Sequence, residues 1–277
     1  MANVTYGELV RQSLLFLQDK EYKESDLRYL LMLYKNWTLT DYLLAQTKIV
    51  PKDDVQWFKE AIVQLQKNYP LQYIVGYENF FDREFQVTED TLIPRPETEW
   101  IVEYILNNEV NQEIKVADIG TGSGAIGITL KLEHPQFAVV LTDIDKKTLE
   151  VAKTNASRLG AKVEYCLGDN LLALDDKYDI IVSNPPYIAE EEQEVMDSSV
   201  LQYEPKQALF ANNHGYAFYE QFCQLLPQYL KDNGRVYLEI GYQQGPTVQK
   251  LLLQQFPHRK VNIYQDYNGH DRLVAME

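Results

Sequence analysis

Over residues 1–72 apolar positions recur at helical spacing, and nothing alternates as a strand would. YGELVRQSLLFLQDK (6–20) sets Leu9, Leu14, Leu15 and Leu17 near one stripe. SDLRYLLMLYKNW (25–37) carries Leu27, Leu30, Leu31 and Leu33, and its Ser25–Asp26 pair reads as a helix cap. PKDDVQWFKEAIVQLQKNYP (51–70) opens on Pro51, has acids in its first turn and stops at Pro70. A small all-helical domain is expected here. Residues 73–98 read as a joint. Phe81, Phe85 and Val87 alternate around a charged turn, as in a β-hairpin, before Pro94 and Pro96 break the pattern.

Across 99–277 short apolar runs alternate with longer helical stretches. The runs are IKVADIG, FAVVLTDID, KVEYCLGD, YDIIVSN, GRVYLEIG, KVNIYQD and RLVAME. Between them lie AIGITLKLEH, KKTLEVAKTNASRLG and helices expected near 216–231 and 244–256. Such alternation predicts an α/β fold with a doubly wound, mostly parallel sheet. The last two runs have no helix between them, so one strand is expected to be antiparallel. No repeat or low-complexity linker interrupts the chain.

Hydrophobic content of 45% in 277 residues is ample for one large or two smaller domains. The chain contains no run of about 18 apolar residues, which argues against a membrane span. The first twenty residues lack the charged-then-apolar order of a secretory leader. The two cysteines, Cys166 and Cys223, have no metal-type spacing, and no metal is expected. A reducing cytoplasm fits. The net charge of −15 disfavours direct nucleic-acid binding, because a phosphate-gripping protein carries a basic face. The acidic cluster at 189–194 reads as a solvated helix start.

Chemistry enters at three strand ends. VADIGTGSGAIG places Gly120, Thr121, Gly122, Ser123 and Gly124 between a strand and a helix, where glycine permits a tight turn and close approach of a ligand. The next strand ends at Asp143, whose carboxylate can accept from both ribose hydroxyls of an adenosine. Gly120-x-Gly122-x-x-Ala125 also satisfies the loose dinucleotide fingerprint, so the loop alone predicts only an adenosine cofactor. A G-x-G-x-G loop resembles that of class I methyltransferases. Such enzymes contact adenine where Asp169 and Asn170 stand and place the donor methyl beside SNPPYI (183–188). These features favour S-adenosylmethionine, with S-adenosylhomocysteine as product. In SNPPYI two prolines stop the strand and stiffen the turn that carries Asn184.

DIGTGSG, TDID, GDN and SNPPYI, with LIPRPETE before them and LEIGYQQG and DYNGHDR after, together resemble the peptide chain release factor glutamine methyltransferases, the HemK or PrmC family. The resemblance covers the chain from the helical region to its end. It implies a cytoplasmic transferase acting in translation termination, with a Rossmann-like class I methyltransferase sheet. The substrate it implies is the Gly-Gly-Gln glutamine of a class 1 release factor, methylated on its side-chain nitrogen (N5). It further implies that Asn184 and Pro185 are catalytic, their oxygens accepting the two N–H bonds of the target amide. Pro186 and Tyr187 complete the substrate site, and Asn184 also borders the cofactor. Tyr187 either stacks on the amide or is a core tyrosine below the turn. One departure is Asn170, where some members carry an aromatic residue. Pro94–Glu99 is expected either to close over the methionine end of the cofactor or to form an interdomain turn with a helix cap at Thr98. The helical domain is expected to recognise the release factor. Two other classes share these features: a nucleic-acid base amino-methyltransferase, against which the acidic charge speaks, and a non-catalytic cofactor-binding partner protein, against which the intact Asn-Pro-Pro-Tyr speaks.

Overall fold

The computed structural model describes residues 4–18 and 20–277, and of Val195 only the backbone. Residues 1–3 and Asp19, which the expected helical region includes, lie outside the described residues. The chain divides into two compact units. One holds the described residues up to Glu78 together with Asp197–Tyr203; the other holds Asn79–Met196 and Glu204–Glu277.

The first unit is helical. Its first helix, Tyr6–Phe16, starts on a capping box: Glu8 N donates to Thr5 Oγ1 at 3.3 Å and Thr5 N to Glu8 Oε2 at 2.9 Å. The face it buries is Tyr6, Leu9, Val10, Ser13 and, just past its end, Leu17. Leu15 is exposed instead, because two residues from Leu17 lies across the helix. In helix Glu24–Lys35 the four expected leucines are all buried. Its cap differs from expectation. Lys23 is the N-cap, and its N–H donates to Asp26 Oδ2 at 2.7 Å from the third helical position. Helix Lys52–Leu65 follows Pro51, and its core face is Phe58, Ala61, Ile62 and Leu65. Two short helices have no periodic signal: Leu39–Ala45, whose Leu39, Leu43 and Leu44 are exposed, and Leu71–Val75 after Pro70. A helix from far along the chain, Ser198–Tyr203, belongs to this unit, and Tyr203 Oη donates to Lys67 O at 2.9 Å.

The chain leaves the first unit within a two-stranded sheet, β1 (Tyr77–Phe80) and β2 (Arg83–Gln86). Phe81 lies in the turn, not in the alternation. It and Asp82 are left-handed, with φ of 51° and 58°, as a tight hairpin turn demands. Phe80 takes the inward position and meets Phe85 edge to face at 5.8 Å.

The second unit is a seven-stranded sheet. Its strands are β3 (Lys115–Ile119), β4 (Ala138–Asp143), β5 (Glu164–Leu167), β6 (Tyr178–Ser183), β7 (Leu230–Glu239), β8 (Val261–Gln265) and β9 (Asp271–Met276). Their order is β5-β4-β3-β6-β7-β9-β8, with β9 antiparallel to both neighbours and the other pairings parallel. Successive residues feed two apolar clusters: Val116, Val139, Ile180 and Val182 one, Ala117, Val140 and Ile181 the other. The period of two places those clusters on opposite faces, so the central strands are buried on both sides. Helix Pro96–Asn108 precedes β3; it starts earlier than the cap expected at Thr98. It begins with Arg95 as N-cap and Pro96 in the first turn, so Thr98 is an interior first-turn residue and not the cap.

Candidate active site

The order of the sheet reverses beside β3, and ligands of doubly wound folds bind at the carboxyl ends of strands flanking such a point. A cavity of about 430 Å³ lies there. Its walls include Gly120, Thr121, Gly122 and Ser123 after β3, Asp143 at the end of β4, Asp169 and Asn170 after β5, and Asn184 and Pro186 after β6. Gly124, Pro185 and Tyr187 are not among its lining residues.

The glycine loop is held by short-range contacts. Asp118, buried at the end of β3, accepts from Thr121 Oγ1 at 2.6 Å and Gly127 N at 2.9 Å. Burial lifts its carboxyl to about 6 against those hydrogen bonds. Thr121 N donates to Thr142 O at 2.8 Å. Gly120 and Gly122 have φ of 67° and 57°, and a Cβ on either would meet nothing within 4 Å. Their requirement is backbone conformation. Gly124 differs: at φ 86° it precedes helix Ala125–Glu133, and a Cβ there would lie 2.5 Å from Ile128 Cδ1.

Asp143 ties the loop to β4. Gly122 N donates to its Oδ2 at 3.1 Å and Asp145 N to its Oδ1 at 3.0 Å. Burial raises its carboxyl above the usual range, opposed by these N–H donors. Each oxygen keeps a lone pair for a further donor, as a vicinal diol requires. Asn170 is buried and left-handed at φ 51°, a conformation Asn tolerates. Its amide Nδ2 lies 3.3 Å from Gln221 Oε1. A cavity of this size, with a glycine cradle at one end and a carboxylate beside it, fits an adenosine-bearing ligand.

The other end is built around Asn184. Ser183 pairs with Leu238 in the β6–β7 ladder, so Asn184, just past β6, and Glu239, the last residue of β7, follow that pair on neighbouring strands. Thr98 reaches both: Asn184 Nδ2 donates to Thr98 Oγ1 at 3.1 Å, and Thr98 Oγ1 donates to Glu239 Oε2 at 2.7 Å. Glu239 is 2% exposed, and burial lifts its carboxyl to about 7 against the Thr98 hydrogen bond and Arg272. The Tyr187 carbonyl accepts from Gln244 Nε2 at 2.9 Å, and its half-buried ring packs on the apolar cluster beneath the turn. The Pro94–Glu99 segment is fixed by buried Glu204, which takes Ile93 N at 3.1 Å and Arg95 Nη2 at 2.5 Å. Of these residues the sequence pointed to Thr98 only as a helix cap, and to Glu239 not at all. Their signals lie in LIPRPETE, whose expected role is to close over the cofactor or turn between domains, and in LEIGYQQG, which carries no expected chemistry.

A mostly parallel sheet of this order, a glycine loop at β3, a carboxylate ending β4 and an Asn-Pro-Pro-Tyr turn ending β6 define a class I S-adenosylmethionine-dependent methyltransferase. The methyltransferase small domain family matches residues 97–212, and the PrmC N-terminal domain family matches residues 8–76. The release factor glutamine methyltransferase of Enterococcus faecalis (strain ATCC 700802 / V583) is 40% identical over 273 residues, 98% of this chain and 99% of that one. That of Staphylococcus aureus (strain NCTC 8325 / PS 47) is 37% identical over 277 residues, 99% of each. A methyltransferase from Pyrococcus furiosus has a similar structure, with a TM-score of 0.53 at 17% identity over 71% of this chain and 89% of that one. That likeness concerns the fold alone. The chain belongs to the release factor glutamine methyltransferase family.

Proposed function

We propose that the enzyme methylates the side-chain amide nitrogen of the glutamine in the Gly-Gly-Gln motif of a class 1 release factor, in the cytoplasm. The observation that carries this reading is the fixed Asn184 amide. Its Nδ2 is engaged by Thr98 at 3.1 Å inside the wall of the same cavity that holds the glycine loop, which leaves Oδ1 for a substrate donor.

S-adenosylmethionine, when bound, supplies an electrophilic methyl group on a sulfonium. The protein's task is positioning and electrostatics, because an amide nitrogen is a poor nucleophile whose lone pair is delocalised into its carbonyl. Asn184 Oδ1 and the Pro185 carbonyl accept the two N–H bonds of the target amide. Two acceptors in fixed directions turn the nitrogen lone pair away from the turn and favour pyramidalisation. The two prolines have no N–H and little freedom in φ, so the Pro185 carbonyl keeps its direction. Pro186 walls the cavity beside Asn184, and Tyr187 anchors the turn from below. Asp143 holds the ribose, the Gly120–Gly124 loop the rest of the adenosine side, and Asp169 and Asn170 border the adenine. The proton displaced from nitrogen leaves to water. The helical unit recognises the folded release factor, so a short Gly-Gly-Gln peptide is the poorer substrate.

The test offers the enzyme methyl-labelled S-adenosylmethionine with intact release factor, a Gly-Gly-Gln peptide, and nucleic acid. Label on the intact factor, less on peptide and none on nucleic acid is expected. Label on nucleic acid overturns the substrate assignment, and peptide as good as the intact factor overturns the role of the helical unit.

A further inference from the structure

An asparagine amide has two ends of almost the same shape and opposite hydrogen-bonding character. If Asn184 turned its NH2 into the cavity, it would oppose the N–H donors of a glutamine. Something must set which end faces the substrate, and backbone geometry does not distinguish them.

We infer that Glu239, acting through Thr98, is a positioning device that fixes the polarity of the Asn184 amide. The inference rests on the amide-methylation reading above. An ionised carboxylate only accepts, so Glu239 Oε2 takes the single hydroxyl proton of Thr98 at 2.7 Å. Thr98 Oγ1 is then left as an acceptor towards Asn184. Only Nδ2 can satisfy it, at 3.1 Å, and Oδ1 is directed away. A reversed amide would set Oδ1 against the lone pairs of Thr98. The hydrogen bonds therefore run one way, from Asn184 to Thr98 to Glu239. A protonated Glu239 can instead donate to Thr98, which frees the hydroxyl proton for Oδ1 and lets the chain reverse.

The surroundings suit a carboxylate that is ionised above neutrality and can be neutralised below it. Glu239 is buried. The charged and titratable groups around it are Arg95 and Glu97 at the start of helix Pro96–Asn108, Arg272 of β9, Tyr187 after β6, and Tyr219, whose hydroxyl donates to the Glu239 backbone carbonyl at 2.7 Å. Arg272 is in turn paired with buried Asp266 at 3.2 Å. The glutamine amide has no titration near pH 7.

The test measures single-turnover methyl transfer and S-adenosylmethionine affinity for wild type, Thr98→Val, Thr98→Ser and Glu239→Gln, with intact release factor. Thr98→Val keeps shape and removes both hydrogen bonds; its rate is expected to fall about 100-fold, the scale of one lost transition-state group, with affinity nearly unchanged. Thr98→Ser restores most of the rate. The wild-type rate falls as pH drops through about 7, and in Glu239→Gln that acid limb disappears. If Glu239→Gln does not fold, the Thr98 pair decides. Equal rates for Thr98→Val and wild type, or equally slow Val and Ser variants, overturn the inference. Failure of the wild type itself to label the release factor overturns the underlying reading instead.

Discussion

The two ends of the cavity are built on different plans. At the glycine loop, contacts are mostly short in sequence: Thr121 meets Asp118 three residues away, and Gly122 meets Asp143 twenty-one residues away, on the neighbouring strand. At the Asn184 end, the side-chain partners lie far apart: Asn184 and Thr98 are separated by 86 residues, and Thr98 and Glu239 by 141. The first end is fixed by backbone conformation, and in the proposed mechanism it holds the cofactor. The second is fixed by a polar chain across three elements, and in the proposed mechanism it orients the reacting amide. Damage to the first should therefore appear as lost affinity or stability, and damage to the second as lost rate.

The largest expected effect falls on the second end. Asn184→Ala removes one oriented acceptor, and single-turnover methyl transfer should slow by about 100- to 1000-fold while S-adenosylmethionine still binds. A rate near wild type would reduce the Asn-Pro-Pro-Tyr turn to a strand terminator. The next effect falls on the first end. Hydrogen bonds to a charged group contribute about 1.5–3 kcal/mol, so Asp143→Ala should weaken S-adenosylmethionine binding by about tenfold to a hundredfold in calorimetry. Unchanged affinity there would dissolve the division between the two ends.

This difference also explains what was legible in the sequence. The Gly120–Gly124 loop, Asp143 and the turn at Asn184 each sit at the end of an apolar strand run, so position followed from local pattern. Thr98 stood out only as a cap and Glu239 not at all, because a threonine at a helix start and a glutamate ending a strand have ordinary local roles. Only the β6–β7 register and the start of helix Pro96–Asn108 bring them to Asn184. The sequence places the start of that helix too late, at Thr98, because two prolines signal a break when Pro96 in fact begins the helix behind Arg95. In the helical unit the buried stripe of Glu24–Lys35 was readable, whereas Leu39–Ala45 was not, because its leucines face outward.

A smaller effect sharpens the loop's own division of labour. Gly124→Ala meets both a left-handed φ and Ile128 at 2.5 Å, whereas Gly160→Ala, at φ 75°, meets nothing within 4 Å. Denaturant titration should show a loss of about 1–2 kcal/mol for Gly160→Ala from conformation alone, and a larger loss for Gly124→Ala from added overpacking. Equal losses would remove the packing role assigned to Gly124.

The smallest effect is a pH slope. Burial raises Glu239 from 4.5 to about 7, so the native state holds that proton more tightly than the unfolded chain. Its stabilising contribution is complete below about 4.5 and is lost as pH rises through about 7. Glu239→Gln should remove that part of the decline in denaturant-measured stability. An unchanged slope between wild type and variant would mean that Glu239 does not titrate in that window.

The most direct measurement is the location of the transferred methyl group. Intact class 1 release factor, incubated with the enzyme and methyl-labelled S-adenosylmethionine, is digested and its peptides fragmented in a mass spectrometer. One methyl group on the side-chain nitrogen of the Gly-Gly-Gln glutamine is the predicted result. A methyl group on any other residue, or a release factor left unmodified while the enzyme binds S-adenosylmethionine, would contradict the account.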